Sequence, residues 1–75
     1  MKVRVECYSG GRADERPRAV IVGDRRLAVT GVLDTWYGED HLYFKVLVEN
    51  GDEYLVRRDA DGEWTLEVFH AAPAR

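Results

Sequence analysis

Apolar residues recur at every second position along most of this chain, and this pattern predicts a protein built from β-strands. The most regular alternation covers residues 32–37 and 42–48. Side chains of a strand point alternately to its two faces, so a period of two separates an apolar row from a polar row. We find no stretch with the period of an amphipathic helix. The pattern therefore predicts an all-β domain.

A two-residue turn and a bend are expected in the first half. Gly23 followed by Asp24 favours a type II′ turn, because glycine tolerates the positive φ of the first turn position. That turn would pair Val20 with Leu27. Gly31 interrupts the following strand, which is typical of a bulge or bend. A bend there would let one long strand serve two sides of a small barrel.

Two further turns determine the pairing of the second half. Residues 49–51 and 60–62 each end in glycine and predict three-residue loops with that glycine in the left-handed conformation. The alternative for the first is a two-residue turn at Asn50-Gly51. It would oppose Glu49 to Asp52, and like charges in a cross-strand pair are unfavourable.

Both loops place the same apolar residues on one inner face of the sheet. In the preceding hairpin, formed by residues 32–37 and 42–48, Trp36 and Phe44 are predicted to face each other on that inner face. The predicted core consists of Val3, Val5, Val20, Leu27, Val29, Val32, Trp36, Phe44, Val46, Tyr54, Val56, Trp64, Leu66 and Val68.

The opposite face of the same strands is unusually apolar for a solvated sheet face. It is predicted to carry Leu33, Leu47, Leu55 and Phe69. Either the N-terminal part of the chain covers these side chains, or they form an exposed patch for a protein partner or a second copy of the chain.

The 75 residues predict a single domain over 1–75, with a long loop at 9–18 and a frayed tail at 71–75. The expected fold is five or six antiparallel strands in meander order. They would curl into a small SH3-like or half-open barrel.

The charge is −3 overall but uneven along the chain. Residues 1–26 carry seven Arg or Lys against four Asp or Glu, and residues 27–75 carry four against ten. An acidic domain binds nucleic acid poorly, since such binding depends on neutralising phosphates. The only cysteine, Cys7, favours a reducing cytoplasm. No apolar run is long enough to span a membrane.

Candidate catalytic chemistry is sparse. Cys7, His41 and His70 lack the spacing of metal ligands, so we expect no metal and no cofactor. Asp34 has the inner parity, and a buried carboxylate could act as a catalytic acid with a raised pKa. We favour an Asp34 that accepts hydrogen bonds from the backbone or from Tyr54, and we predict that the protein is not an enzyme.

A nucleic-acid site is the alternative, because aromatic and basic side chains share the outer face. Aromatic rings can stack on bases while cations contact the phosphates. The candidates for this role are Tyr37, Tyr43, Lys45 and Arg57. Arg16 and Arg18 of the long loop could bind an anion or simply belong to a solvated charged segment.

Several motifs resemble a family of small bacterial domains of unknown function. They are Cys7-Tyr8-Ser9-Gly10, Asp14-Glu15-Arg16-Pro17-Arg18, Val32-Leu33-Asp34-Thr35-Trp36-Tyr37-Gly38, Tyr43-Phe44-Lys45-Val46 and Gly62-Glu63-Trp64-Thr65-Leu66. The resemblance extends from about Val5 to Phe69. Similar domains are free-standing cytoplasmic proteins or are fused to proteins resembling translesion DNA polymerases. By association, the resemblance implies an accessory role near DNA repair, but it defines no functional residues.

The function predicted from the sequence is therefore a non-catalytic interaction module. It would bind a protein partner, or form a homodimer, through the outer sheet face. The alternative is a nucleic-acid-binding accessory domain.

Overall fold

The computed structural model describes residues 1–7 and 16–73, which form six antiparallel β-strands. The strands are β1 (Lys2–Cys7), β2 (Pro17–Val22), β3 (Arg25–Tyr37), β4 (His41–Val48), β5 (Glu53–Asp59) and β6 (Trp64–His70). Each strand pairs with the next, and β1 pairs with β6 to close a barrel. The predicted all-β meander and small barrel are confirmed. Nothing helical in the described ranges has the length and hydrophobicity needed to cross a bilayer.

β3 is the longest strand, and it belongs to both sides of the barrel. Its first residues pair with β2, where Val20 lies opposite Leu27 as predicted. Its later residues pair with β4. The register shifts between Val29 and Gly31 and again between Val32 and Asp34, so β3 contains two bulges. Bulges bend a strand and increase its twist. The predicted bend near Gly31 is confirmed.

The core is small and consists largely of β-branched side chains. Its buried members are Val3, Val20, Leu27, Phe44, Val46, Val48, Tyr54 and Val56. Val5, Val29, Val32, Trp64 and Leu66 are partly buried against it. Of the residues predicted for the core, Trp36 and Val68 are exceptions, with exposed fractions of 44% and 41%.

The β4–β5 and β5–β6 turns have the predicted three-residue form. Gly51 has a φ of 90° and donates its N–H to the carbonyl of Val48 over 2.9 Å. Gly62 has a φ of 86° and bonds in the same way to Asp59. Asn50 adds a side-chain bond, because its Oδ1 accepts the N–H of Asp52. Positive φ favours glycine, so both turns are determined by local sequence.

The β3–β4 pairing differs by one residue from the predicted pairing of Trp36 with Phe44. The Gly38 N–H donates to the carbonyl of His41 over 2.8 Å, and Tyr37 pairs with Leu42. A shift of one residue moves side chains to the other face. Trp36 therefore lies opposite Tyr43 and outside the barrel. The predicted pairing of Trp36 with Phe44 in the core is wrong.

A bulge in β6 has a similar effect. Val56 lies opposite Leu66, but the register then shifts at Glu67. Beyond it Val68 pairs with Leu55, and Phe69 pairs with Tyr54. Phe69 packs against Tyr54, with ring centroids 5.1 Å apart. The prediction that placed Val68 inside and Phe69 on the outer face is wrong for both residues.

Parts of the predicted loop and of the predicted tail belong to the described residues. Pro17 and Arg18, which the sequence placed in the loop, already belong to β2. Residues 9–15 of that predicted loop lie outside the described residues. In the tail, the Ala72 N–H donates to Asp52 Oδ1 over 2.7 Å. Residues 74 and 75 are also outside the described part of the chain.

Candidate functional site

The outer face is defined here as the solvent-facing side of β4, β5, β6 and the part of β3 that pairs with β4. It contains most of the predicted binding residues. The bulges and the tight β3–β4 turn decide which side chains reach it. Its cross-strand rows are Trp36-Tyr43-Arg57-Thr65, Asp34-Lys45-Leu55-Val68 and Leu47-Glu53-His70.

A depression of about 180 Å³ lies in the outer face. Trp36, Leu55 and Val68 supply its apolar lining, and Lys45 and His70 lie among its polar residues. Sites for small-molecule ligands usually enclose about 300–1,000 Å³. The depression therefore suits one inserted side chain better than a complete small-molecule substrate.

The four apolar residues predicted as a patch are not brought together as one surface. Leu47 and Leu55 lie half-buried on the outer face, as expected. Leu33 is 49% exposed and is the extra residue of a bulge, so no residue of β4 pairs with it. Phe69 is on the side of Tyr54. The apolar centre is instead formed by Leu55 with Trp36 and Val68.

Trp36 and Val68 were not predicted as surface residues, because both have the parity of core positions. The turn after Trp36 gave no clear signal, because Glu39-Asp40 lacks the glycine or asparagine that two-residue hairpin turns favour. Within β6, no feature of the sequence predicts the bulge at Glu67.

Three of the four nucleic-acid candidates share the outer face, but their positive charges are already paired. Lys45 Nζ lies 3.6 Å from Glu53 Oε1. Tyr43 and Arg57 are cross-strand neighbours. Tyr37 is 83% exposed and ends β3 opposite Leu42, outside the row of Tyr43.

Arg57 lies between two carboxylates. Its Nε is 3.0 Å from Asp59 Oδ1, and its Nη1 is 3.8 Å from Glu67 Oε2. Burial opposes the charged form, yet the charges of Asp59 and Glu67 raise the pKa of Arg57 above its ordinary value. Both Arg57 Nε and Asp59 Oδ1 are shielded from solvent, and neither forms a hydrogen bond within the described residues. His41 Nε2 lies 3.6 Å from the same Asp59 oxygen.

Carboxylates therefore outnumber cations on the outer face. The cations are Lys45 and Arg57, and the carboxylates are Asp34, Glu53, Asp59 and Glu67. Two positive and four negative charges give a net charge of −2 with neutral histidines. Such a surface repels phosphates and attracts positively charged ligands.

The two loop candidates lie away from the outer face. Arg16 is exposed just before β2. Arg18 is the extra residue of a bulge in β2, because Glu6 pairs with Ala19 and Cys7 with Pro17. Glu6 has a lowered pKa, mainly because it accepts hydrogen bonds from the Arg26 guanidinium. Weaker contributions to this lowering come from Arg18 and Arg4.

Asp34 is not a buried acid. Its side chain is exposed, and its Oδ1 accepts the N–H of Thr35 over 2.9 Å. The expected backbone hydrogen bond is confirmed, but the inner placement is wrong. Residues 1–7 and 16–73 contain no group of three His, Cys, Asp or Glu side chains positioned to hold a metal ion.

Comparison with known proteins gave no match to a family model, to a curated protein or to a solved structure. The resemblance to small bacterial domains therefore stays a prediction.

Proposed function

We propose that this protein is a non-catalytic interaction module of the cytoplasm that binds a protein partner through the outer face. The observation that carries the proposal is the position of Trp36. Its indole is nearly half exposed and lines a depression with Leu55 and Val68. Tryptophan is enriched among the residues that dominate the free energy of protein–protein binding.

The surroundings of Trp36 have the composition of a protein interface. A protein interface typically has an apolar centre and a polar rim. Here Leu55 and Val68 form the centre, and the Lys45–Glu53 ion pair lies beside it. Because the ion pair neutralises itself, an apolar side chain of the partner can enter without leaving an unpaired charge.

The outer face supports a protein partner better than a nucleic acid. The net charge of −2 opposes phosphate binding, and the positive charges of Lys45 and Arg57 are paired with carboxylates. A second copy of the chain is one such protein partner. The mass of the crosslinked product distinguishes it from a different protein.

The test is site-specific photo-crosslinking in the native cell. A benzophenone amino acid replaces Val68 in one variant and exposed Asp24, in the turn between β2 and β3, in the other. We expect an adduct with a partner protein from position 68 but not from position 24. The added substitution Trp36→Ala should abolish it while the melting temperature stays near that of the parent.

Adducts that are equal at both positions, or that survive Trp36→Ala, would contradict the proposal. An adduct with twice the mass of the chain, formed by the purified protein alone, would identify the partner as a second copy.

A further inference from the structure

Among residues 1–7 and 16–73, no strand covers one edge of the second half of β6, beside the depression. β1 pairs with β6 only at Lys2 opposite Thr65 and at Val3 opposite Trp64. Beyond these pairs, the Leu66 N–H donates to the carbonyl of Met1 over 2.7 Å. From Glu67 to His70, β5 is the only strand beside β6 in the part of the chain that the structure describes.

An open strand edge has specific chemistry. It presents N–H and C=O groups at the spacing of an extended chain, and another extended backbone satisfies both. Soluble proteins usually protect such edges with charged side chains, proline or bulges. The charge and the bulge of Glu67 lie at the start of this edge. Beyond it, Val68 and Phe69 are apolar and 41% and 48% exposed.

The open edge and the depression share residues. Val68 and His70 line the depression and also belong to the part of β6 that pairs with β5 alone. A strand added to this edge would place every second side chain on the outer face, next to Val68. In this binding mode the backbone supplies hydrogen bonds, and a pocket selects alternate side chains.

The charge of the outer face limits the composition of such a strand. Glu53 and Glu67 flank Val68 on β5 and β6, and the face has two more carboxylates than cations. A segment with positive side chains would be attracted, whereas an acidic segment or a phosphate would be repelled.

We propose that the partner binds as an extended, positively charged segment that pairs with Glu67–His70 of β6 and packs an apolar side chain against Val68 at the rim of the depression. This proposal rests on the proposed function of the outer face, and it specifies the chemical class of the partner and its mode of binding.

The probe is a random twelve-residue peptide library, selected on the intact purified protein. We expect enriched peptides in which apolar residues alternate with Lys or Arg. The Val68→Lys substitution should weaken their binding by about tenfold or more, because it places a charge in the depression and on the edge. Glu39→Gln changes the net charge by the same amount at an exposed turn and should leave binding unchanged.

Amide hydrogen exchange measured by NMR then tests the binding mode. Bound peptide should slow exchange at Val68, Phe69 or His70, since backbone pairing protects amides. If selected peptides compete with the crosslink at position 68 but protect no amide of 67–70, the strand-addition proposal is wrong while the proposed function stands.

Other outcomes also overturn the inference. The selection could yield no binder, or only acidic sequences. A single-stranded twelve-nucleotide DNA, tested at low salt, could bind the outer face in place of peptide. If the crosslink at position 68 is also absent, the proposed function fails together with the inference.

Discussion

The β4–β5 hairpin and the two strands that flank it differ in the regularity of their strand pairing. β4 and β5 pair at seven consecutive positions without a register shift. β3 contains two bulges and β6 contains one. The sequence pattern assigned one face of each strand to the core. In β4 and β5 this assignment agrees with the structure along the whole strand, whereas in β3 and β6 it fails at the bulges and at the tight turn.

This difference separates the core from the surface site. Phe44, Val46 and Val56 of the central hairpin are at most 4% exposed. In the flanking strands, Trp36 and Val68 stand at the outer face although their sequence parity matches the core. Bulges are frequent next to functional sites, where they redirect a side chain. We infer that the central hairpin supplies most of the buried core, and that the flanking strands add Trp36 and Val68 to the proposed binding surface that Leu55 shares.

The largest expected difference in the free energy of unfolding is between two aromatic truncations. Phe44→Ala should lower the free energy of unfolding by about 3–5 kcal/mol, because it removes a buried ring from a small core. Trp36→Ala should cost less than about 1 kcal/mol, because the indole is nearly half exposed and surface substitutions have small effects. Urea unfolding followed by circular dichroism measures both values.

Equal losses for Phe44→Ala and Trp36→Ala would contradict the comparison, since they would place both rings in the core. Leu55→Ala, on the outer face of the central hairpin, is a useful third variant, and its loss should lie between the other two.

An intermediate effect is expected at the turn glycines. Gly62→Ala should cost about 1–2 kcal/mol, because an alanine at a φ of 86° takes up the left-handed conformation. Gly51→Ala should cost at least as much, since its Cβ would also lie 3.2 Å from that of Ala72. Thermal unfolding of the two variants measures these losses.

Gly31→Ala provides the matched control at the bend of β3. Gly31 lacks a positive φ, and a Cβ built there meets no atom within 4 Å among the described residues. It should be neutral or slightly stabilising. A loss as large as that of Gly62→Ala would show that the bend depends on glycine as strictly as the turns do.

The smallest expected effect is a change in the melting temperature at alkaline pH. Burial raises the pKa of the Tyr54 hydroxyl, and the nearby charge of Asp52 adds to this effect. A raised folded-state pKa contributes stability that is lost as the pH rises above the ordinary tyrosine range. Tyr54→Phe should therefore reduce the loss of melting temperature between pH 9 and pH 11 (about one unit to either side of the ordinary value).

Tyr37→Phe, at a largely exposed position, is the control for the alkaline measurement. If both variants respond to pH as the parent protein does, ionisation of the core tyrosine has no part in alkaline unfolding.

Much of the fold could be predicted because local chemistry determines it. Gly51 and Gly62 occupy backbone conformations that glycine tolerates best, and their turns determine the register of β4 with β5 and the start of β5 with β6. Gly23 does the same for β2 and β3, with a φ of 62°. Short-range signals were sufficient there, since each turn spans only a few residues.

The candidate site was predicted less well because it depends on where the alternation is broken. Leu55, Tyr43, Lys45 and Arg57 were placed on the correct face, since they belong to the unbroken hairpin. Trp36 and Val68 were assigned to the core, and Phe69 to the surface patch. Each lies beyond a tight turn or a bulge that shifts the pairing by one residue.

By itself, the sequence determined the strand content, the order of the hairpins, the turn glycines and the apolar residues of the central core. These features follow from period-two alternation and from the φ that each turn requires, and both are local properties. Only the tertiary structure decided that β1 closes the barrel on β6 over a short seam and that Trp36 faces solvent. Closure and face selection depend on the summed twist and bulges of all six strands, which no single segment specifies.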